Sequence, residues 1–207
     1  MSIAYDIVRT FEKKVCEFTG APFGVAVESC SAAIFLCLKY LKCDAKTTIK
    51  LPKRTYPSTA NSIIHCGGNI EFCDDNSWQD LGFYRMTPLP LWDSAKRFCR
   101  GMYKTKEFYC LSFHGKKTLP IGRGGMILCP DEKSYSWFKI ARFDGRHECS
   151  LPVDNLAFPG WNMYMTPEQA ARGIELMQWI KDENIDSPDE YQDLSQYSFY
   201  GGNHVLP

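Results

Sequence analysis

No apolar run in this chain approaches the length needed to cross a membrane, so no transmembrane helix is expected. The opening residues, "MSIAYDIVRTFEKKV", carry charges every few positions and lack the apolar stretch of a signal peptide. Net charge is missing too. Lys+Arg 24 balances Asp+Glu 24, which removes any general attraction to nucleic acid or an anionic membrane. Cysteine is not scarce, at ten, but no two form a C-x-x-C pair, and His65-Cys66 has no second half at zinc-ligand spacing. Most of the cysteines fall inside apolar runs, where a reduced thiol serves as a small core residue. With no export signal, neither disulfides nor a metal site is expected. Repeats and low-complexity tracts are also lacking. What remains is a soluble, cytoplasmic protein whose 207 residues suffice for one substantial core.

The order of elements comes from hydrophobic periodicity and from stop signals. Ile7, Phe11, Val15 and Phe18 recur at helical spacing before Gly20. The strand "FGVAVES" runs into a helix that begins at Cys30 behind Ser29. Next come the strand "TTIKLP", the helix "STANSIIHC", the strand "NIEFCD", and the strand "LPLWD" with a short helix "SAKRFCRGM" after it. Strands at 107–113 and 125–129 precede a helix over 131–143 and an irregular stretch over 144–160. Thr166-Pro167-Glu168-Gln169 sets a capped helix start, with the helix expected to reach Lys181. Strands alternating with helices predict an α/β fold, with a mostly parallel central sheet and helices on both faces.

In such sheets ligands bind at the carboxyl ends of the strands. Three strand ends here carry chemistry suited to one ligand. Ser29-Cys30-Ser31 opens a helix, whose free N–H groups and dipole favour phosphate. Asp93 ends "LPLWD", and Ser112 with the pair Lys116-Lys117 ends "FYCLSF". A phosphate site, a carboxylate and a lysine together are what a pyridoxal phosphate enzyme requires.

These stretches resemble the DegT/DnrJ/EryC/StrS family of sugar aminotransferases, fold type I pyridoxal phosphate enzymes. "VESCSAAIFL" is similar to the family's N-S-G-T-A-A-L phosphate turn, and "LPKRTYPSTANS" to its V-P-x-x-T-F/W-x-A-T-A-N-A segment. "LPLWDSAKRF" resembles its strand ending in E-D-A-A-Q, and "LSFHGKKTLPIGRGGM" its lysine motif S-F-H-x-x-K-x-L-x-x-G-E-G-G-M. "GWNMYMTPEQAARG" is similar to G-Y-N-Y-R-M-x-E-x-Q-A-A-x-G. The matches keep family order over about residues 11–180.

The resemblance implies a cofactor-binding large domain over 1–181, shortened between Asp74 and Asp93, and a tail over 182–207 in place of most of the family's C-terminal small domain. The tail has turn composition and is expected on the protein surface or on a partner. Lys117 is implied as the Schiff-base lysine and Asp93 as the partner of the pyridinium nitrogen. Cys30, Ser31 and Ser112 are implied at the phosphate, Tyr56 on the ring, and Lys96 where the family has a glutamine at the phenolic oxygen. Asn162 is implied to reach the phosphate of a neighbouring subunit, hence a homodimer with shared active sites. Arg123 and Tyr164 replace a family glutamate and arginine. The implied reaction moves an amino group from glutamate or glutamine to a nucleotide-linked keto sugar. Another reaction of the same cofactor is a further reading, although the dehydratase branch carries histidine where Lys117 stands. A third reading is a non-catalytic descendant that binds cofactor or a partner.

Overall fold

The computed structural model describes residues 3–201. Its elements in chain order are α1 (Ile3–Thr19), β1 (Phe23–Val27), α2 (Cys30–Tyr40), β2 (Thr48–Pro52), α3 (Pro57–His65), β3 (Asn69–Cys73), α4 (Trp78–Leu81), β4 (Tyr84–Arg85), β5 (Leu91–Asp93), β6 (Phe108–Ser112), β7 (Gly125–Cys129), α5 (Glu132–Ala141) and α6 (Pro167–Leu176). Beyond α6 the chain forms short 3-10 turns, the last at Ser198–Tyr200.

Five strands lie in the order β1-β7-β6-β5-β4, and β2 pairs with β3 as a second ladder. The Lys50 amide of β2 donates to the Thr87 carbonyl between β4 and β5 (2.8 Å), tying the two together. The α/β class holds, but the sheet is mixed where a mostly parallel order was expected. β5/β6 and β2/β3 are parallel. β7 runs against both β1 and β6, and β4 returns against β5. Connection geometry explains the difference. A parallel partner needs a long crossover, usually a helix, whereas no helix lies between β6 and β7 and only a short turn separates β4 from β5.

Alternate residues of each central strand face opposite sides, and each side has its own core. Val25, Val27, Cys110 and Ile127 pack with Leu36 of α2, Ile63 of α3 and Phe138 of α5. Ala26, Leu111, Met126 and Leu128 pack with Phe11 and Val15 of α1 and Ala170 of α6. Covered on both sides, β7 is buried throughout and reads as an unbroken apolar run. At α6, a Cβ on Gly173 would meet Phe11 Cε2 at 2.6 Å and Ile121 Cδ1 at 2.8 Å, so glycine permits the close approach to α1. The α6 start carries the expected capping box between Thr166 and Gln169, and the helix gives way to a 3-10 turn at Met177–Trp179.

The helix expected over "SAKRFCRGM" does not form. Its backbone is bonded to a segment far along the chain instead. Phe98 N donates to Asn184 O (3.0 Å), Arg100 N to Asp182 O (2.7 Å) and Asp186 N to Lys96 O (2.8 Å). Residues 182–201 of the tail therefore pack on their own chain, with Leu194 and Tyr200 buried in the first core, and the rest of the tail lies outside the described residues. All ten cysteines are free thiols, six of them buried and Cys149 exposed. Among the described residues no helix is long and apolar enough to cross a membrane.

Candidate active site

Because β1, β5 and β6 run the same way, their carboxyl ends share one edge of the sheet. β7 runs the other way, so its first residue, Gly125, lies at that edge, opposite Val27 and Ser112. A Cβ on Gly125 would meet the backbone of Ser29 and Cys30 at 2.4 and 2.6 Å. Glycine therefore lets the first turn of α2 sit directly on the sheet. Ser29 caps that turn, its Oγ accepting from the Ala32 amide (3.1 Å). The amides of Cys30 and Ser31 have no intrahelical partner and sit at the positive end of the dipole. Ser31 Oγ donates to Ser58 Oγ of α3 (2.6 Å).

Asp93, at the end of β5, is buried. Its Oδ2 accepts from Thr59 Oγ1 (3.0 Å) and Tyr84 OH (2.9 Å), and its Oδ1 from the Ala95 amide (3.0 Å). Burial pushes the Asp93 carboxyl above the usual range, against those hydrogen bonds and the positive charge of Lys117. Burial also pushes the Tyr84 phenol well up, keeping it a neutral donor. The Cys30 thiol is pushed well up by burial and then by the charge of Asp93. It fills space beside the turn as a neutral group and offers no thiolate.

Lys117 follows a turn closed by its own amide to His114 O (2.8 Å). Its side chain is 10% exposed, whereas that of Lys116 is 59% exposed, so Lys117 is the inner lysine of the pair. Cys30, Ser31, Tyr56, Asp93, Ser112 and Lys117 all line one cavity of about 690 Å³. Tyr56, mostly exposed at the mouth, precedes Pro57 at the start of α3. Arg123, at the family's glutamate position, pairs with Glu28 on the rim (2.7 Å).

Two expected site residues are not brought to that wall. Lys96 lies buried behind it, its Nζ donating to Ser187 O (2.5 Å) and to Asp189 Oδ2 (3.4 Å). Burial lowers the pKa of the Lys96 ammonium, with the charge of Asp189 acting against the shift. The cation thus turns toward the chain's own tail and away from the cavity. Asn162 donates to Asp144 Oδ2 (3.0 Å) outside the cavity.

Several residues of the site escaped sequence reasoning. Thr59 and Tyr84 hold Asp93, Gly125 seats α2, and Tyr191 joins the cavity wall. Thr59 and Gly125 lie inside stretches already quoted, "TYPSTANS" and "GRGGM", so their types were visible and their contacts were not.

The donor set fits pyridoxal phosphate. A helix turn with free amides suits the phosphate, the inner lysine suits the aldehyde, and a buried carboxylate lacking a full countercharge suits the ring nitrogen. Lys117 and Asp93 would hold the two ends of the ring, with Cys30, Ser31 and Ser112 at its phosphate.

Comparison with known proteins gives the same direction. The sequence pattern of the DegT/DnrJ/EryC1/StrS aminotransferase family matches residues 1–79 and 100–199 and leaves the stretch holding β4, β5 and Asp93 unmatched. The chain is 25% identical to the spore coat polysaccharide biosynthesis protein SpsC of Bacillus subtilis, over 84% of this chain and 57% of that protein. It is 21% identical to the UDP-4-amino-4,6-dideoxy-N-acetyl-beta-L-altrosamine transaminase of Campylobacter jejuni, over 93% of this chain and 61% of that protein. The fold superimposes on the sugar aminotransferase CalS13 from Micromonospora echinospora with a TM-score of 0.71 at 18% identity, over 83% of this chain and 60% of that one. The chain spans less than two thirds of the length of these relatives.

Proposed function

Because the chain belongs to the DegT/DnrJ/EryC1/StrS aminotransferase family, we propose that it is a pyridoxal phosphate-dependent aminotransferase, moving an amino group from glutamate or glutamine to a nucleotide-linked keto sugar. The observation that carries the reading is the meeting of Lys117, Asp93, Cys30, Ser31 and Ser112, delivered by separate elements, around one cavity. When bound, the cofactor supplies an electron sink that makes the donor's α-proton removable. Each protein group has a task suited to its surroundings. The α2 amides and the Ser31 and Ser112 hydroxyls bind the phosphate. Asp93, buried and held in place by Tyr84, Thr59 and Ala95, would pair with the ring nitrogen. Lys117 Nζ takes the proton from the donor's α-carbon. Tyr56, at the cavity mouth, would stack on the ring. Asn162, outside its own cavity, is assigned to the phosphate of a second subunit in a homodimer. The transaminase name of the Campylobacter jejuni relative supports the sugar-nucleotide class of acceptor.

A second reading, cofactor binding without turnover, is favoured by one feature: the tail answers the charge of Lys96, Lys116 and Lys117 with its own carboxylates. One titration separates the two. Added pyridoxal phosphate is expected to give wild-type protein a visible absorption band that Lys117→Ala lacks, and glutamate or glutamine is expected to bleach it. A Lys117-dependent band that neither donor changes favours binding alone, and the same spectrum in both proteins removes Lys117 from the site.

A further inference from the structure

We propose that Asp186 is the positioning partner of Lys117: it holds the lysine as an ion pair before the cofactor binds, and Nζ is free to bond to a carbonyl carbon only after that pair opens. This rests on the assignment of Lys117 made above. Asp186 sits on a strap, residues 182–193, that crosses the site edge on bonds to the segment around Phe98. The bonds described at Lys96, Phe98 and Arg100 fix its first half, and Asn184 Nδ2 adds one to Phe98 O (2.9 Å).

The aim of Asp186 is set by Thr118, the residue after Lys117. Thr118 N (3.0 Å) and Thr118 Oγ1 (2.7 Å) both donate to Asp186 Oδ1. That leaves Oδ2 facing Lys117 Nζ at 3.4 Å, with both side chains largely out of solvent. Beyond it, Asp189 pairs with Lys96 and Lys116, and Tyr191 donates to Asp189 while forming part of the cavity wall. Two strap carboxylates thus answer three lysines.

The chemistry gives the pair a consequence. An ammonium has no lone pair, and Nζ engaged with Asp186 Oδ2 is not available to a carbonyl carbon. For Nζ to react, one proton must leave for solvent and the nitrogen lone pair must bond to the carbonyl carbon. The carbonyl oxygen then departs as water with the two protons left on nitrogen. While Asp186 holds Nζ these steps wait on the opening of the pair, and the strap governs when the lysine is available.

The test reads the lysine without the cofactor and then with it. Brief labelling with acetic anhydride, followed by peptide mass spectrometry, compares Lys117 with the exposed Lys13 as internal reference. In Asp186→Asn, which keeps an acceptor oxygen for Thr118, Lys117 is expected to acetylate about tenfold faster relative to Lys13 than in wild type. Thr118→Val, which removes the hydroxyl bond to Asp186 and leaves the amide bond and the charge in place, is expected to move labelling the same way by a smaller factor, and it carries the test if Asp186→Asn does not fold. Unchanged or slower labelling of Lys117 overturns the proposal. Capture of pyridoxal phosphate, followed by absorbance in the same proteins, is expected to tighten in Asp186→Asn. An absent Lys117-dependent band in wild type counts against the functional assignment alone, because labelling has already decided the ion pair.

Discussion

Asp93 is buried and Glu148 partly buried, and their surroundings drive the two carboxylates opposite ways. Asp93 receives neutral donors and the single charge of Lys117, so burial wins and its carboxyl rises. Glu148 is also penalised by burial, but hydrogen bonds and charge from Lys139 and Arg142 hold its carboxyl below the usual range. Arg9 completes that cluster, and Glu12 accepts from Arg142 within it. A depressed carboxyl adds stability that is fully present above the unfolded glutamate value, about 4.3, and is lost as pH falls through the lower folded value. Glu148→Gln is therefore expected to cost about 1–3 kcal/mol at pH 7 and to flatten the loss of stability on acidification, as read by urea unfolding at pH 7 and pH 4. An equal acid dependence in both proteins contradicts this role. At this scale the chemical residues were legible and their partners were not. Asp93 and Lys117 stand in motifs, whereas Tyr84 and Glu148 act through contacts that only folding creates.

Between elements, the decisive contact is the one where β7 meets α2. Gly125 has no side chain because the backbone of Ser29 and Cys30 occupies that space. Gly125→Ala is expected to push the first turn of α2 off the sheet edge. It should weaken pyridoxal phosphate binding at least about tenfold, for a stability loss of about 1–3 kcal/mol typical of overpacking. Spectroscopic titration and thermal unfolding check the two effects separately, and unchanged binding contradicts the cradle. Elements with a strong local signal were readable, such as α6 with its capping box and the unbroken apolar run of β7. The stretch after β5 was misread because helical composition in "SAKRFCRG" was outweighed by hydrogen bonds to Asp182, Asn184 and Asp186. β4 and α4 were missed because elements of two and four residues leave no periodic pattern.

Across the whole molecule, the strap joins the end of the described chain to the site edge. The acidic, turn-rich composition around Asp186 and Asp189 reads in isolation as a surface tail, since nothing local says which lysines it will meet. The structure puts those carboxylates on Lys96, Lys116 and Lys117 and buries Leu194 and Tyr200 behind them. The same strap accounts for Lys96: a buried cation is tolerable there because Asp189 and Ser187 receive it. Lys117, and neither Lys116 nor Lys96, is the lysine proposed to bond to the cofactor. Borohydride reduction of the protein incubated with pyridoxal phosphate, followed by peptide mapping, tests it directly. A pyridoxyl group on Lys117 alone is the result expected, and the group on Lys96 or Lys116 with Lys117 unmodified would contradict the account.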